Sequence, residues 1–157
     1  MCRLLRYAMN VLSVRDHSEA EIRRKLVAYF CSVTIEESQS SSKEQEIEQV
    51  ITYCKEHDWL DDTRFARRYI ASRSRKGYGS QRIRSELSQK GIDRYTQALV
   101  FQDCDINWCQ LAQDIARRKF GSLLSTEWKE KAKIQRYLLY RGFLHEEIQS
   151  IYMNFSD

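Results

Sequence analysis

The chain has 157 residues, of which 42% are apolar and 31% are charged, and its formal net charge is +4. It is long enough to bury a core, and this apolar content is ordinary for a soluble fold. The absence of proline and the abundance of Arg, Lys, Glu, Gln and Leu favour helix over sheet. No apolar run approaches the roughly 18 residues of a membrane span, and no signal-peptide core follows Met1. We therefore expect an all-α protein in the cytoplasm, without a membrane partner.

The sequence predicts three helices in the first third of the chain. Apolar residues at helical spacing predict the first helix over 3–14. Ser18 and Glu21 form a capping-box pattern that opens the second helix. Residues 36–45 are polar and serine-rich, and they predict a flexible loop. The third helix follows, with an apolar face that begins at Ile47.

The middle of the chain predicts a fourth and a fifth helix joined by a glycine-containing turn. Asp61 or Asp62 is expected to cap the fourth helix. Residues 76–79 interrupt it, and Ser80 is expected to cap the fifth helix. Gly91 stands where a residue of left-handed conformation commonly ends a helix.

Four more helices complete the predicted series. Asp93 is expected to cap the sixth helix, with Leu99 on its inner face. Asp105 is expected to start the seventh helix. Apolar periodicity predicts the eighth helix over 126–141 and the ninth over 145–155.

A short motif recurs in this series of helices. Ile-x-x-x-Leu begins at Ile22, Ile83 and Ile134, and a glycine follows the last two copies at the same offset, at Gly91 and Gly142. The copies are 61 and 51 residues apart, and the ten-residue difference matches the serine-rich insert of the first unit. The motif therefore indicates an internal repeat of three helices.

Three tandem three-helix repeats, each similar to a helix-turn-helix, are the predicted fold. The predicted boundaries are 1–60 for the first repeat, which contains the polar insert, 61–104 for the second, basic repeat, and 105–157 for the third. In such an array each unit packs on its neighbours, and we expect the chain to be elongated and curved. An arc of this kind suits binding along another long molecule.

The cysteines predict no disulfide framework. Their number is odd, and the spacings of Cys54-x-x-His57 and Cys104-x4-Cys109 resemble zinc ligands only weakly. We expect free, mostly buried thiols and no metal site.

Motifs of common enzymatic chemistry are missing from the sequence. It contains no GxxxxGK[ST] phosphate loop, no HExxH and no GxSxG. Asp61 and Asp62 admit two interpretations, a metal site of a nuclease or the cap of a helix, and the cap is the more frequent use of such a pair. We therefore predict no catalytic residue, no cofactor and no bound metal.

Positive charge is concentrated in the middle of the chain. Residues 64–94 contain ten Lys/Arg and two Asp/Glu, a balance of +8, so that the rest of the chain sums to −4. Either the segment is a solvated helix face, or it binds an acidic partner such as nucleic acid or an acidic protein groove. Because acidic residues are scarce there, i,i+4 ion pairs are not expected, and unpaired like charges favour a partner. The candidate contact residues are Arg67, Arg68, Arg73, Arg75, Lys76, Tyr78, Arg82 and Arg84.

Two further basic clusters lie in the last repeat. The candidate contact residues there are Arg117, Arg118 and Lys119 in one cluster and Lys133 and Arg136 in the other, which also contains Lys129, Lys131 and Arg141. In the middle segment, Gly77 and Gly79 would let the backbone approach a partner closely, and Tyr78 would stack on a base or fill a protein pocket. The three clusters together predict one charged track.

Several segments carry a resemblance to a known family. They are Val14-Arg15-Asp16-His17-Ser18-Glu19, His57-Asp58-Trp59-Leu60-Asp61-Asp62, the run from Phe65 to Gly79, Arg82-Ile83-Arg84-x-Glu86-Leu87-x-x-Lys90-Gly91-Ile92, and Lys133-Ile134-Gln135-Arg136-Tyr137-Leu138-x-x-Arg141-Gly142-Phe143. Through them the chain resembles the RecX family of regulators of the RecA recombinase over nearly its whole length. It departs at Asp58-Trp59, where the family often has Gly-Tyr, and at Ser80, where the family often has proline.

The resemblance implies tandem three-helix repeats and a non-enzymatic inhibitor of RecA. It implies binding to the RecA filament on single-stranded DNA and suppression of strand exchange and of the coupled ATPase, in DNA repair, recombination and the SOS response. The partners would be RecA and, directly or through RecA, single-stranded DNA, with the chain acting as a monomer.

Another class of function explains the same charge pattern. In an autonomous DNA-binding protein of helix-turn-helix type, the helix that begins near Ser80 would enter a groove. Its mark would be tight, salt-sensitive DNA binding without RecA, which the small net charge of +4 disfavours.

Overall fold

The structure, a computed structural model, describes residues 2–33, 40–121, 124 and 127–153. All regular secondary structure in these residues is helical, which confirms the all-α prediction. In chain order the helices are α1 (Cys2–Val14), α2 (Glu19–Val33), α3 (Ser40–Glu56), α4 (Asp62–Arg75), α5 (Ser80–Gln89), α6 (Arg94–Asp103), α7 (Trp108–Phe120), α8 (Trp128–Arg141) and α9 (His145–Met153). Among the helices of the described residues, none combines the length and the apolar character that a membrane crossing requires.

The chain divides into two compact units. The first comprises Met1–Ala66 and Ser88–Gln97, and the second comprises Arg67–Leu87 and Ala98–Asp157. The predicted repeat boundaries at 60/61 and 104/105 are not tested by this division and stay a prediction.

The core of the first unit is formed by the inner faces of α1, α2 and α3. Its buried residues are Leu4, Ala8, Ile22, Leu26, Ile47, Val50, Ile51, Cys54 and Leu60. Spacings of three and four residues on each helix bring these side chains to one face, as the sequence predicted.

Capping residues begin the helices of the first unit where the sequence placed them. Glu21 N–H donates to Ser18 Oγ and Ser18 N–H donates to Glu21 Oε1, both at 3.1 Å, which is the predicted capping box. Asp61 Oδ1 accepts from the backbone N–H groups of Thr63 and Arg64 at the start of α4. Asp93 Oδ1 likewise accepts from Thr96 N–H at 2.7 Å.

The predicted loop over 36–45 is wrong in its second half. Residues 40–45 belong to α3, and residues 36–39 lie outside the described residues. Tertiary contacts stabilise this polar first turn, because Lys43 Nζ lies 5.1 Å from the ring centroid of Phe30 and 3.4 Å from Cys31 Sγ, both on α2. These contacts join residues that are distant in sequence, so composition alone could not reveal them.

The second unit has its own core, which α7, α8 and α9 form. Its buried residues are Ala112, Ile115, Ala116, Ile134, Leu138, Phe143, Ile148 and Ile151. The predicted bounds of α8 and α9 hold to within two residues, apart from positions 126, 154 and 155, which lie outside the described residues.

Three details predicted for α5, α6 and α7 are wrong. Ser80 is the first residue of α5 and not its cap, since Ile83 N–H donates to Gly79 O at 3.2 Å. Asn107, not Asp105, caps α7, by accepting from Gln110 N–H at 3.1 Å. Leu99 is exposed, because the buried apolar residue of α6 is its neighbour Val100, one step or about 100° around the helix.

The prediction that the thiols are mostly buried also needs a correction. Among the described side chains, four cysteines are free as predicted, but only Cys54 is buried; Cys104 is half-buried, and Cys31 and Cys109 are exposed. Burial raises the pKa of the Cys54 thiol.

An equivalent contact between turns occurs once in each unit. In the first unit, Ser18 Oγ donates to Lys90 O at 2.6 Å. In the second unit, Gly79 N–H donates to Arg141 O at 2.8 Å. Ser18 and Gly79 each stand four residues before a motif isoleucine, and Lys90 and Arg141 each stand seven residues after one. The motif therefore marks equivalent packing positions, which is the expected property of helical repeats.

The glycines at equal offset lie at these two contacts. Gly91 has φ +80° and a Cβ there would collide with the Cβ of Ala20. Gly142 has φ +99° and a Cβ there would collide with Arg82. Both positions need glycine for its backbone conformation and for its lack of a side chain.

Candidate interaction surface around Tyr78

Helix α4 presents its basic residues on two faces. Tyr69 and Arg73 are four residues apart, and both side chains donate hydrogen bonds to Glu86 of α5. Arg67 and Arg75 lie on another face, where they line a cavity of about 380 Å³ with Asp103. The helical period thus separates arginines that look like one cluster in the sequence.

Arg73 and Glu86 form a two-point ion pair. Arg73 Nη2 donates to Glu86 Oε1 at 2.6 Å, and Arg73 Nε donates to Oε2 at 3.0 Å. Tyr69 Oη donates to the same Oε2 at 2.6 Å, and Arg82 Nε lies 3.4 Å from Oε1. The expectation that the arginines lack i,i+4 partners is therefore wrong, because Arg82 and Glu86 are such a pair, and Glu86 is also the carboxylate partner of Arg73.

The surroundings of Glu86 keep it ionised. Burial alone would raise the pKa of its carboxyl, but hydrogen bonds from Arg73 and Tyr69 and the positive charges of Arg73 and Arg82 outweigh that effect. The pKa of Glu86 is therefore lowered from its ordinary value.

Tyr78 is surrounded by three guanidinium groups. The Cζ atoms of Arg73, Arg82 and Arg141 lie 3.9, 4.5 and 4.5 Å from its ring centroid. The negative face of an aromatic ring attracts cations at these distances. We name Tyr78, these three arginines and Glu86 the Tyr78 cluster. Since the arginines occupy the π surface of the ring, the geometry favours Tyr78 as a support for arginines over Tyr78 as a platform for a base.

The close backbone approach at Gly79 is internal to the chain. A Cβ at Gly79 would collide with the carbonyl group of Gly142, and Gln81 N–H donates to Gly142 O at 2.9 Å. At Gly77 a Cβ would meet the side chain of Ile115, at 2.5 Å from its Cδ1. These glycines therefore permit close contacts between parts of the same chain. The sequence interpretation, in which they let the backbone approach a partner, is not what this geometry shows.

Alternating cations and aromatic rings continue from Tyr78 along α8. Arg141 Cζ also lies 5.7 Å from the ring centroid of Tyr137, and Lys119 Nζ at the end of α7 lies 5.6 Å from the same centroid. Arg82 Cζ lies 5.3 Å from the ring centroid of Tyr140. The first and second predicted clusters are thus connected through Arg141 and Tyr137.

The other predicted contact residues take different positions. Arg67 is exposed, and its Nη2 lies 3.8 Å from Asp103 Oδ2. Arg84 Cζ lies 4.3 Å from the ring centroid of Phe101. Arg117 is half-buried at the end of α7. The exposed residues are Arg67, Arg68, Arg75, Lys76, Arg84, Arg118, Lys119, Lys133 and Arg136.

Four residues of this surface were missed by the sequence interpretation: Tyr69, Glu86, Tyr137 and Tyr140. The spacing of Tyr69 with Arg73 and of Tyr137 with Arg141 is a signal that could have found two of them, since residues four apart on a helix are neighbours. The charge balance of the sequence does not show that Glu86 is the partner of Arg73 and Arg82.

Asp61 and Asp62 have separate structural roles. Asp61 caps α4, whereas Asp62 Oδ1 accepts from Glu19 N–H at the start of α2, at 2.8 Å. Burial raises the pKa of Asp62 above its ordinary value. Among the residues that the structure describes, no group of three or more His, Cys, Asp or Glu side chains is arranged to hold a metal ion.

Two family models match this chain. The model described as "RecX, second three-helix domain" matches residues 61–99, and the model described as "RecX, third three-helix domain" matches residues 106–151.

Curated proteins called "Regulatory protein RecX" are similar to the chain over almost all of its length. The protein of Pectobacterium atrosepticum is 62% identical, with 100% of both chains covered. The protein of Serratia proteamaculans is 58% identical, with 98% of both covered. That of Yersinia enterocolitica is 56% identical, with 97% of both covered.

Solved structures share the fold. The crystal structure of RecX from Lactobacillus salivarius has a TM-score of 0.77 at 21% identity, over 99% of this chain and 96% of that one. A second crystal structure, of a regulatory protein RecX, has a TM-score of 0.73 at 20% identity, over 96% of this chain and 70% of that one.

Proposed function

The chain belongs to the RecX family of regulatory proteins, and on this premise we propose that it is a non-enzymatic inhibitor of the RecA recombinase. It binds the filament of RecA on single-stranded DNA in the cytoplasm and suppresses the ATPase and strand exchange of RecA during DNA repair and recombination. Inhibition follows from unequal binding, because a ligand that binds one state of a filament better than another shifts the population between them.

The observation that carries the proposal is the group of exposed cations around the end of α4. Arg75 ends this helix and Lys76 begins the turn that follows it; both are exposed, and Arg68 is exposed about two helical turns earlier. The turn itself is held by the Tyr78 cluster, in which Arg141 Nη2 donates to Lys76 O at 3.3 Å. A preorganised basic surface loses little conformational entropy when it meets an acidic protein surface or a phosphate backbone.

The test is the single-strand-DNA-dependent ATPase of RecA, measured with increasing amounts of the protein while DNA is in excess. We expect inhibition well below one protein per RecA monomer. Loss of ATPase activity only when the protein saturates the DNA would instead indicate the autonomous DNA-binding protein. Absence of any effect would refute the proposal.

A charge-reversal pair localises the interaction. Arg75→Glu/Lys76→Glu should raise the concentration needed for half-inhibition at least tenfold while the protein stays folded, because it reverses two exposed charges at the proposed contact. Arg3→Glu/Arg6→Glu is the matched control, since both arginines are exposed on α1 and the change in net charge is the same. Equal effects of the two pairs would show that only net charge matters, against a specific surface at the end of α4.

A further inference from the structure

Helix α8 carries a cationic stripe on its exposed side. Lys129, Lys133, Arg136 and Tyr140 are spaced by four, three and four residues, which places them on one face of the helix, and all four are exposed. Ile134 and Leu138, on another side of α8, are buried in the core of the second unit. We name these four exposed residues the α8 stripe.

Among the described residues, no carboxylate lies within ion-pair distance of the cations of the α8 stripe, although Glu130 stands three residues before Lys133 on the same helix. Within the part of the chain that the structure describes, Lys129, Lys133 and Arg136 form no ion pair, in contrast to Arg73 and Arg82. Lys129–Lys133 and Lys133–Arg136 are like-charge neighbours, which destabilise a helix. Lys129 also lies in the first turn of α8, where the helix dipole disfavours a positive charge.

An exposed aromatic ring ends the stripe. Tyr140 is 73% exposed, in contrast to Tyr78, whose ring is surrounded by arginines. Arg82 lies beside it, with Cζ 5.3 Å from the ring centroid and Nη1 donating to Tyr140 O at 3.3 Å. The backbone under the ring is therefore held in place while the ring itself is open to solvent.

Recognition of a single strand uses two elements, which are cations without a carboxylate partner and an open aromatic ring. Lys and Arg contact phosphates, and an aromatic ring stacks on a base of any identity. From Lys129 to Tyr140 the stripe covers eleven helical steps, about 16 Å along the helix. An acidic protein surface would match the cations and would take the Tyr140 ring into a pocket, whereas a single strand would stack a base on it, and an oligonucleotide without bases separates the two.

We propose that the α8 stripe binds single-stranded DNA directly, with Lys129, Lys133 and Arg136 on successive phosphates and the Tyr140 ring stacked on a base. The inference rests on the proposed function in one respect, that the strand bound in the cell is the one carried by the RecA filament. It assigns the base contact to Tyr140 and leaves Tyr78 as a residue that positions arginines.

The experiment measures the anisotropy of a short fluorescein-labelled oligothymidylate titrated with the full chain in the absence of RecA. Tyr140→Ala should weaken binding about tenfold, the loss of one base stack, and Tyr140→Phe should bind as the wild type does. On an abasic oligonucleotide of the same length, Tyr140→Ala and wild type should bind equally. Tyr95→Ala is the matched control, since Tyr95 is 77% exposed and lies on α6.

The phosphate contacts are tested by salt dependence. Lys133→Gln/Arg136→Gln should lower the slope of log affinity against log salt concentration by about 0.7 for each cation removed. Arg3→Gln/Arg6→Gln should leave the slope close to that of the wild type. An unchanged slope in Lys133→Gln/Arg136→Gln would overturn the assignment of the phosphates to α8.

The outcomes separate this inference from the proposed function. If Tyr140→Ala keeps wild-type affinity for oligothymidylate, or if the wild type does not bind it at low salt, the α8 stripe is not a DNA contact. Loss of RecA inhibition without loss of oligonucleotide binding in the α8 variants would indicate an acidic protein surface instead, and would also overturn the inference. If the oligonucleotide results are as expected but RecA is unaffected, the proposed function fails and the inference stands.

Discussion

Arg73 and Glu86 join α4 to α5 by two hydrogen bonds, at 2.6 and 3.0 Å, with side chains that are 20% and 18% exposed. The same arginine lies over Tyr78, so that one guanidinium group connects an ion pair to an aromatic ring. This double contact fixes the turn between the two helices and the exposed cations beside it.

Glu86→Gln should destabilise the second unit by about 2 kcal/mol, because it leaves Arg73 and Arg82 without their carboxylate in a half-buried position. The free energy of unfolding in urea measures the effect. Glu48→Gln is the matched control, since Glu48 also accepts two hydrogen bonds from one arginine, Arg23, but is 57% exposed. Its effect should be below about 1 kcal/mol. Equal losses would show that burial does not strengthen the Glu86 pair.

The contribution of Glu86 should also depend on pH. Its folded-state pKa is lowered, so the stabilisation is fully present above the ordinary carboxyl pKa of 4.5 and is lost as the pH falls through the folded-state value. The difference in unfolding free energy between wild type and Glu86→Gln should therefore stay constant from neutral pH down to 4.5 and shrink below it. A difference that begins to shrink well above pH 4.5 would contradict the lowered pKa.

Gly142→Ala should cost about 3 kcal/mol, since alanine adds both the strain of a left-handed backbone and a collision with Arg82. Gly121→Ala separates the two causes. Gly121 has φ +100° and ψ 165°, where a side chain costs about 1–3 kcal/mol of backbone strain, but none of the described residues lies within 4 Å of a Cβ there, so Gly121→Ala adds no collision. Thermal unfolding of both variants measures the difference, and similar losses would mean that the turn beside Arg82 can move aside.

Tyr78→Phe should leave stability within about 0.5 kcal/mol of the wild type, because phenylalanine keeps the aromatic face that attracts the three arginines. Tyr78→Leu keeps an apolar side chain but removes that face, and it should cost about 2 kcal/mol. NMR of the arginine Nε–H groups checks the cause, since the ring-current shifts of Arg73, Arg82 and Arg141 should decrease in the leucine variant only, down to the smaller contribution of a second, more distant ring beside each arginine. Retained shifts in that variant would show that another ring produces them.

Local signals in the sequence predicted most helices and several of their caps correctly. The capping box of Ser18 and Glu21, the caps Asp61 and Asp93, and the left-handed Gly91 and Gly142 depend on residues within one helical turn of each other. The error at the start of α3 arose because neighbours distant in sequence decide the outcome there. The first turn of α3 looked like a loop because its contacts to Phe30 and Cys31 lie on another helix.

The candidate surface was predicted in composition but not in arrangement. The sequence alone determined that the chain is an all-α repeat with a basic middle. It also determined the family resemblance, which the family matches confirm. Periodicity, charge and motifs are properties of the order of residues, so the sequence is sufficient to show them. Only the tertiary structure decided that Glu86 pairs with Arg73, that Arg141 joins Arg82 over Tyr78, and that Tyr140 stays exposed. Ion pairs and cation–π contacts require side chains within a few ångströms, and the packing of α4, α5 and α8 determines which side chains come that close.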